Sequence, residues 1–163
     1  MKFLADRMLG RLAKKLRMLG IDTMYYNIIE EGEIIEIVVK EKRVLLTRDS
    51  ELHSRCMKKG LESFLLKSNY WDSQLRAVFH RFINRSDQIN FLTRCSHCNS
   101  LLESVSYKKI KYEVPEYVLF TNDQFLKCYG CGQLYWKGSH VKNIINTFIE
   151  VLGKDFPEER IKY

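Results

Sequence analysis

No apolar run in the sequence approaches the roughly 18 residues needed to cross a bilayer, so a membrane-spanning chain is not expected. The apolar start, residues 1–5, is cut by Asp6 and Arg7, well short of the roughly 7 to 15 apolar residues of an export signal. A cytoplasmic location follows as the expectation. No Ser-His-Asp order and no glycine-rich phosphate loop is visible, since Gly10, Gly20 and Gly32 lack the spacing of any nucleotide fingerprint. Repeats and low-complexity segments are absent too. Cysteine is scarce, with five in all. Four of them form two C-x-x-C pairs, which without an export signal read as metal ligands rather than disulfides.

What is present describes one medium or two small globular domains: 163 residues, 45% hydrophobic, with a net charge of +7. The charge is uneven. Residues 1–92 carry 17 basic and 12 acidic side chains, a balance of +5, and residues 93–163 carry 10 and 8, a balance of +2. Clustered Lys and Arg gain affinity for polyanions by releasing condensed counterions. A solvated charged surface is the alternative.

Residues 1–6 read as a short buried strand ending in a carboxylate. Met8, Leu9, Leu12, Ala13, Leu16 and Leu19 then mark one helix face, with Arg7, Arg11, Lys14, Lys15 and Arg17 over much of the rest. Gly20 is expected to end that helix, and residues 23–26 to form a second strand. The pattern continues with helices over 33–40, 52–59 and 73–82 and strands over 43–47 and 62–66. This alternation predicts an α/β domain over 1–92, a parallel sheet covered on both faces in three layers. After the polar stretch 84–94 come strand-like pieces at 101–106, 117–121 and 133–136, a second module over 93–140 bracketed by the cysteines. Val141, Ile144, Ile145, Phe148, Ile149 and Leu152 mark a last helix, expected with its tail (141–163) to dock on a core.

Cys95 and Cys98 are separated from Cys128 and Cys131 by 29 residues. Each pair can present two thiolates on a tight turn, and two turns make a closed tetrahedral site suited to structural zinc. His97 is read as a surface residue rather than a ligand, and Cys56 as a small buried hydrophobe.

Asp6 and Asp49 each stand where a predicted strand ends, with 42 residues between them. The carboxyl ends of parallel strands form the ligand crevice of an open sheet. Carboxylates that converge there repel one another unless a cation joins them, and Mg²⁺ or Mn²⁺ fits an oxygen set. Glu51 is placed to complete it. Glu30, Glu31 and Glu33 lie near a helix N-terminus, where the helix dipole alone accounts for two of them. An acidic metal site rimmed by Arg7, Arg11, Lys14 and Lys15 suits phosphodiester hydrolysis, the cations holding flanking phosphates.

Residues 2–13 (Lys2-Phe3-Leu4-Ala5-Asp6-Arg7 onward), 16–23, the run Leu45-Leu46-Thr47-Arg48-Asp49, both C-x-x-C pairs and Tyr135-Trp136-Lys137-Gly138-Ser139-His140 together resemble the Mut-seven C-terminal RNase domain family over about residues 2–145. The resemblance implies a PIN-like fold with a C-terminal zinc ribbon and a metal-dependent RNase activity. On that pattern Asp6 and Asp49 fall on the strand-end acids, Glu51 on the acid two positions further, and Glu31 on the helix acid, where the family often has aspartate. Arg48 joins the residues expected to contact nucleic acid. Asp22 matches the motif but precedes a strand, so it is expected at the opposite end of the sheet.

Lys137 and His140 are further candidates for RNA contact, and Tyr135 and Trp136 either stack on bases or, for Trp136, pack against the last helix. The leading function is a metal-dependent endoribonuclease acting on RNA. The alternatives are a non-catalytic RNA- or ribosome-binding zinc-ribbon module and, more weakly, the toxin half of a toxin and antitoxin pair.

Overall fold

Along the first strand, Phe3 and Ala5 point to one face and Leu4 to the other, and all three are buried. Side chains alternate across a strand, so only a sheet covered on both sides buries all three. The computed structural model, which describes residues 1–83 and 88–157, has that arrangement. Four parallel strands, β1 (Lys2–Ala5), β2 (Asp22–Tyr25), β3 (Val44–Thr47) and β4 (Ser63–Leu65), lie in the order β2-β1-β3-β4. Lys2 pairs with Asp22, Leu4 with Leu45 and Leu46 with Phe64.

Helices α1 (Gly10–Met18), α2 (Glu31–Glu41), α3 (Ser50–Lys58) and α4 (Trp71–Phe82) connect and follow these strands. Leu12 and Leu16 of α1, with Leu75, Val78 and Phe79 of α4, meet Phe3 and Leu46 on one face. Ile34 and Val38 of α2, with Leu52 and Cys56 of α3, meet Leu4 and Leu45 on the other. The expected three-layer α/β architecture is the observed one, and Cys56 is a core hydrophobe whose thiol burial pushes its pKa up. Gly20 ends α1 at φ 81°, where a Cβ would stand 2.1 Å from the Asn90 carbonyl oxygen. No side chain fits there.

The second module holds β5 (Glu103–Ser104), α5 (Tyr107–Ile110), α6 (Glu116–Thr121), β6 (Phe125–Lys127) and β7 (Leu134–Trp136), with an antiparallel sheet in the order β5-β6-β7. Residues 117–121, expected as a strand, are helical. Pro115, at φ −59°, presets the entry to a helical turn, and its carbonyl accepts the Val118 amide at 2.9 Å. Val118 is buried against Ile110, Val114 and Phe125 while Tyr117 and Phe120 stay exposed. Of the stretch 101–106 only Glu103–Ser104 is a strand, and Phe125–Lys127, too short to signal itself, is a strand the sequence did not announce.

The last helix, α7 (Ser139–Leu152), buries Phe148 and Leu152 in the core on the α1 and α4 side of the sheet, where Phe156 joins them. Residues 84–87 of the polar stretch and 158–163 of the tail lie outside the described residues. Among the described residues no helix is long and apolar enough to cross a membrane.

Candidate functional site

Both candidate strand-end acids sit at the carboxyl edge of the sheet. Asp6 follows β1 and is buried, 5% exposed. Its Oδ1 accepts from the Met8 amide at 2.9 Å, and its Oδ2 from Thr47 Oγ1 at 2.5 Å and the Arg48 amide at 3.0 Å. Asp49 follows β3 and caps α3, its Oδ1 accepting the Glu51 and Leu52 amides at 2.8 and 3.0 Å. Its Oδ2 has no donor among the described residues. The Asp49 amide donates to Thr47 Oγ1 at 2.9 Å. Thr47 therefore links the two acids, donating to one and accepting from the other's backbone. The Leu52 amide, then that of Glu51, holds the Asp49 carboxyl below its usual range, with Arg55 and Arg7 adding to the effect.

Glu31 and Glu51 are placed differently. Arg55 donates from Nε and Nη2 to Glu31 Oε1 and Oε2 at 2.6 and 2.7 Å, and from Nη1 to Glu51 Oε2 at 3.5 Å. One guanidinium thus balances both carboxylates. Among the described residues, the four cysteines are the one set of three or more His, Cys, Asp or Glu side chains whose ligand atoms gather closely enough for an ion. The acids do not form a second such set.

Arg7, Arg11 and Lys14 are exposed on the 3-10 turn Arg7–Leu9 and on α1. Lys15 is half-buried, its Nζ 4.7 Å from the Trp71 ring centroid and 5.5 Å from that of Phe148, and burial followed by Lys14 lowers its pKa. Arg48 lies between the acids and the segment after β4. Trp136 packs partly into the ribbon core with His140 edge-on to it at 6.1 Å, and Trp136 and Lys137 line a cavity of about 550 Å³ beside Phe91, Asp123 and Val141.

The cysteine sulfurs all lie within 4.8 Å of one another, with Cys98 to Cys128 at 3.3 Å and Cys95 to Cys131 at 3.6 Å. Four thiolates at about 2.3 Å from a zinc ion stand about 3.8 Å apart, so the set fits a metal such as zinc. Four sulfurs this close cannot all ionise alone. Burial disfavours the Cys98 thiolate, but Ser100 and the Cys128 and Cys131 thiols outweigh it and leave its pKa at about 6. The Gln133 amide favours the Cys131 thiolate, yet burial and the other three sulfurs push that thiol up to about 12. Gly130 closes the second knuckle, where a Cβ would stand 2.5 Å from Ser100 Oγ. Tyr135 is anchored by its hydroxyl, which meets Cys95 Sγ and the Ser96 amide, each at 3.1 Å.

The first knuckle docks at the opposite, amino edge of the sheet. Buried Arg17 donates from Nη1 to the His97 carbonyl and from Nε to the Thr23 carbonyl, both at 2.7 Å. Asn99 accepts the Thr23 amide at 3.0 Å and donates to Asp22 Oδ1 at 2.9 Å. Arg43 reaches the same oxygen at 2.7 Å, and Arg94 reaches Asp22 Oδ2 at 3.4 Å. Asp22 is thus a structural hub far from Asp6 and Asp49. Burial alone would raise its pKa, but Arg43, Asn99 and Arg94 outweigh it and lower the value. A depressed carboxyl contributes stability above its unfolded value of about 3.9 and loses it as pH falls through the folded value. Asp22→Asn is expected to cost roughly 1.5–3 kcal/mol at neutral pH, the range for a hydrogen bond to a charged group. Chemical denaturation should show that deficit shrink below about pH 4. A deficit that is independent of pH would refute the assignment.

The profile of the Mut7-C RNAse domain matches residues 1–148. The chain belongs to the Mut7-C RNAse domain family. No curated protein and no solved structure matches it. The Mut7-C match takes in the acidic edge, the four-cysteine cluster and most of α7, and the family's description carries a nuclease-like function.

Within this Mut7-C RNAse domain, sequence reasoning passed over three functional neighbours. Thr47 was legible as a hydroxyl at a strand end. Arg55 stands four residues after Glu51, the spacing of a helical ion pair, but its bond to Glu31 crosses between helices. Arg17 looked like one more surface cation on α1, and burial against the His97 carbonyl has no local signature.

Proposed function

We propose that this chain is a metal-dependent endoribonuclease that hydrolyses RNA phosphodiester bonds at the carboxyl edge of its sheet. The observation that carries the reading is the Thr47-linked pair Asp6 and Asp49, in a chain of an RNAse family. The donor set suits Mg²⁺ or Mn²⁺: all oxygens, with Asp49 Oδ2 uncommitted and Asp6 Oδ1 holding a single hydrogen bond. A cation bound there would lower the pKa of an attacking water and stabilise charge developing on the phosphate. Thr47 fixes the relative placement of the two acids. Asp49, held ionised by the Leu52 and Glu51 amides, keeps its negative charge across the neutral range. Arg7, Arg11, Lys14 and Arg48 hold phosphates on either side of the scissile bond. Glu51 and Glu31 join the site only when Arg55 releases them.

The four cysteines hold one structural zinc, and the unpaired thiols suit a reducing compartment such as the cytoplasm. Because the ribbon sits at the amino edge, its part in RNA contact through Lys137 and His140 is to hold strand remote from the cut. The test is incubation of the zinc-loaded full chain with single-stranded RNA, with Mg²⁺, with Mn²⁺ and with neither. Internal cleavage that needs the added cation is the expected result. RNA bound but left intact under both cations would instead favour the non-catalytic RNA- or ribosome-binding module.

A further inference from the structure

The chain leaving β4 runs beside the acids. Leu66, the first residue after β4, donates its amide to the Thr47 carbonyl at 2.8 Å, and three residues on Asn69 meets Arg48. Their backbone is pinned. The Tyr70 amide donates to Ser68 Oγ at 3.1 Å, the buried Gln74 side chain donates to the Ser68 carbonyl at 2.8 Å, and the Gln74 amide donates to the Tyr70 carbonyl at 3.0 Å. On this fixed backbone Tyr70 is 74% exposed. An exposed ring on a fixed backbone offers a flat face on which a base can stack.

Arg48 adds a second, independent observation. Its Nη2 donates to Asn69 Oδ1, which orients the guanidinium, while its Nε is buried with no hydrogen-bond partner among the described residues. Buried donors are nearly always satisfied. A guanidinium bonded to Asn69 and an exposed ring on the next residue, at the end of the sheet that carries two acids, match the two halves of a nucleotide: an anionic oxygen for the first and a flat base for the second.

We propose that the segment after β4 forms a nucleotide subsite in which the Arg48 guanidinium binds a phosphate oxygen of single-stranded RNA and Tyr70 stacks the adjoining base, with Asn69 positioning the guanidinium. This rests on the reading of the carboxyl edge as the RNA-cleaving site and extends it to one side, from β3 across to β4. The recognition is of any base, because stacking uses the face of the ring system and not its edge.

The experiment measures binding of a short fluorescent single-stranded RNA to the full chain carrying Asp49→Asn, which leaves the RNA uncut. Adding Tyr70→Ala should weaken binding roughly tenfold, within the span known for loss of one stacked base. Adding Tyr70→Phe should leave binding unchanged, since the ring remains. An RNA with abasic sites should bind the Asp49→Asn parent more weakly and be insensitive to Tyr70→Ala. Adding Arg48→Gln should reduce the salt dependence of log affinity by about 0.7, one phosphate contact. RNA binding equal in Tyr70→Ala and its parent, with melting unchanged, overturns the subsite while leaving the nuclease reading standing. Tyr70-dependent binding together with a wild type that cuts no RNA supports the subsite and sinks the nuclease reading. A parent that binds no RNA overturns both.

Discussion

Cys95→Ser and Cys128→Ser should each release the metal and unfold the ribbon. The two short strands and two short helices between the knuckles, with β7 after them, enclose one small cluster around Ile110, Val114, Val118 and Phe125. Structural zinc supplies about 10–16 kcal/mol in comparable small modules at neutral pH, more than this cluster can replace. The damage should travel further. The His97 carbonyl and the Asn99 side chain are partners of Arg17, Thr23 and Asp22, so an unfolded knuckle leaves those groups at the amino edge unpaired. Each stranded buried group costs about 1–3 kcal/mol. The α/β sheet, with its own two cores, should remain folded but melt several degrees lower, on the scale of roughly 2–8 °C per kcal/mol for domains of this range of sizes. Metal analysis with thermal unfolding checks it. Variants that retain metal, or that melt as wild type does, would refute it.

Asp6→Asn and Asp49→Asn should both abolish cation-dependent cleavage, yet they should differ in stability. Asp49 uses one oxygen to cap α3, and asparagine caps a helix as well as aspartate does. Its fold and RNA affinity should stay near wild type, with affinity slightly raised because a charge repelling phosphate has gone. Asp6 is buried and accepts three hydrogen bonds through both oxygens. An amide in place of that carboxylate would turn an NH₂ toward one set of donors, costing about 1–3 kcal/mol. Denaturation of the two variants side by side should separate them. Equal stability would mean that Asp6 is less committed to its partners than its geometry indicates.

Much of this was legible because it is local or periodic. The 3.6-residue stripe of Leu12, Leu16 and Leu19, the strand ending in Thr47-Arg48-Asp49, and the paired C-x-x-C turns all announce themselves in short windows. So did the position of Asp22, since a residue that opens a parallel strand stands at the amino edge. What stayed hidden is non-local. Arg17 and Lys14 look alike in sequence, yet one is buried under the His97 carbonyl and the other is exposed. Glu31 and Glu51 read as free carboxylates until Arg55 is placed between them. Residues 117–121 carry aromatic and β-branched side chains that favour a strand, and the proline before them turned the segment into a helix.

Whether the Asp6 and Asp49 pair makes a cation-dependent RNA-cleaving site is tested most directly by one measurement. It is the single-turnover rate of RNA cleavage by zinc-loaded wild type and by Asp49→Asn as Mn²⁺ is raised from none to saturation. Wild type should be silent without Mn²⁺ and rise to a plateau. Asp49→Asn should stay on the order of 100-fold slower or more, as expected when a principal electrostatic contribution to the transition state is lost, while binding the same RNA. Equal rates and equal Mn²⁺ dependence in the two proteins would contradict a cleavage site at this pair.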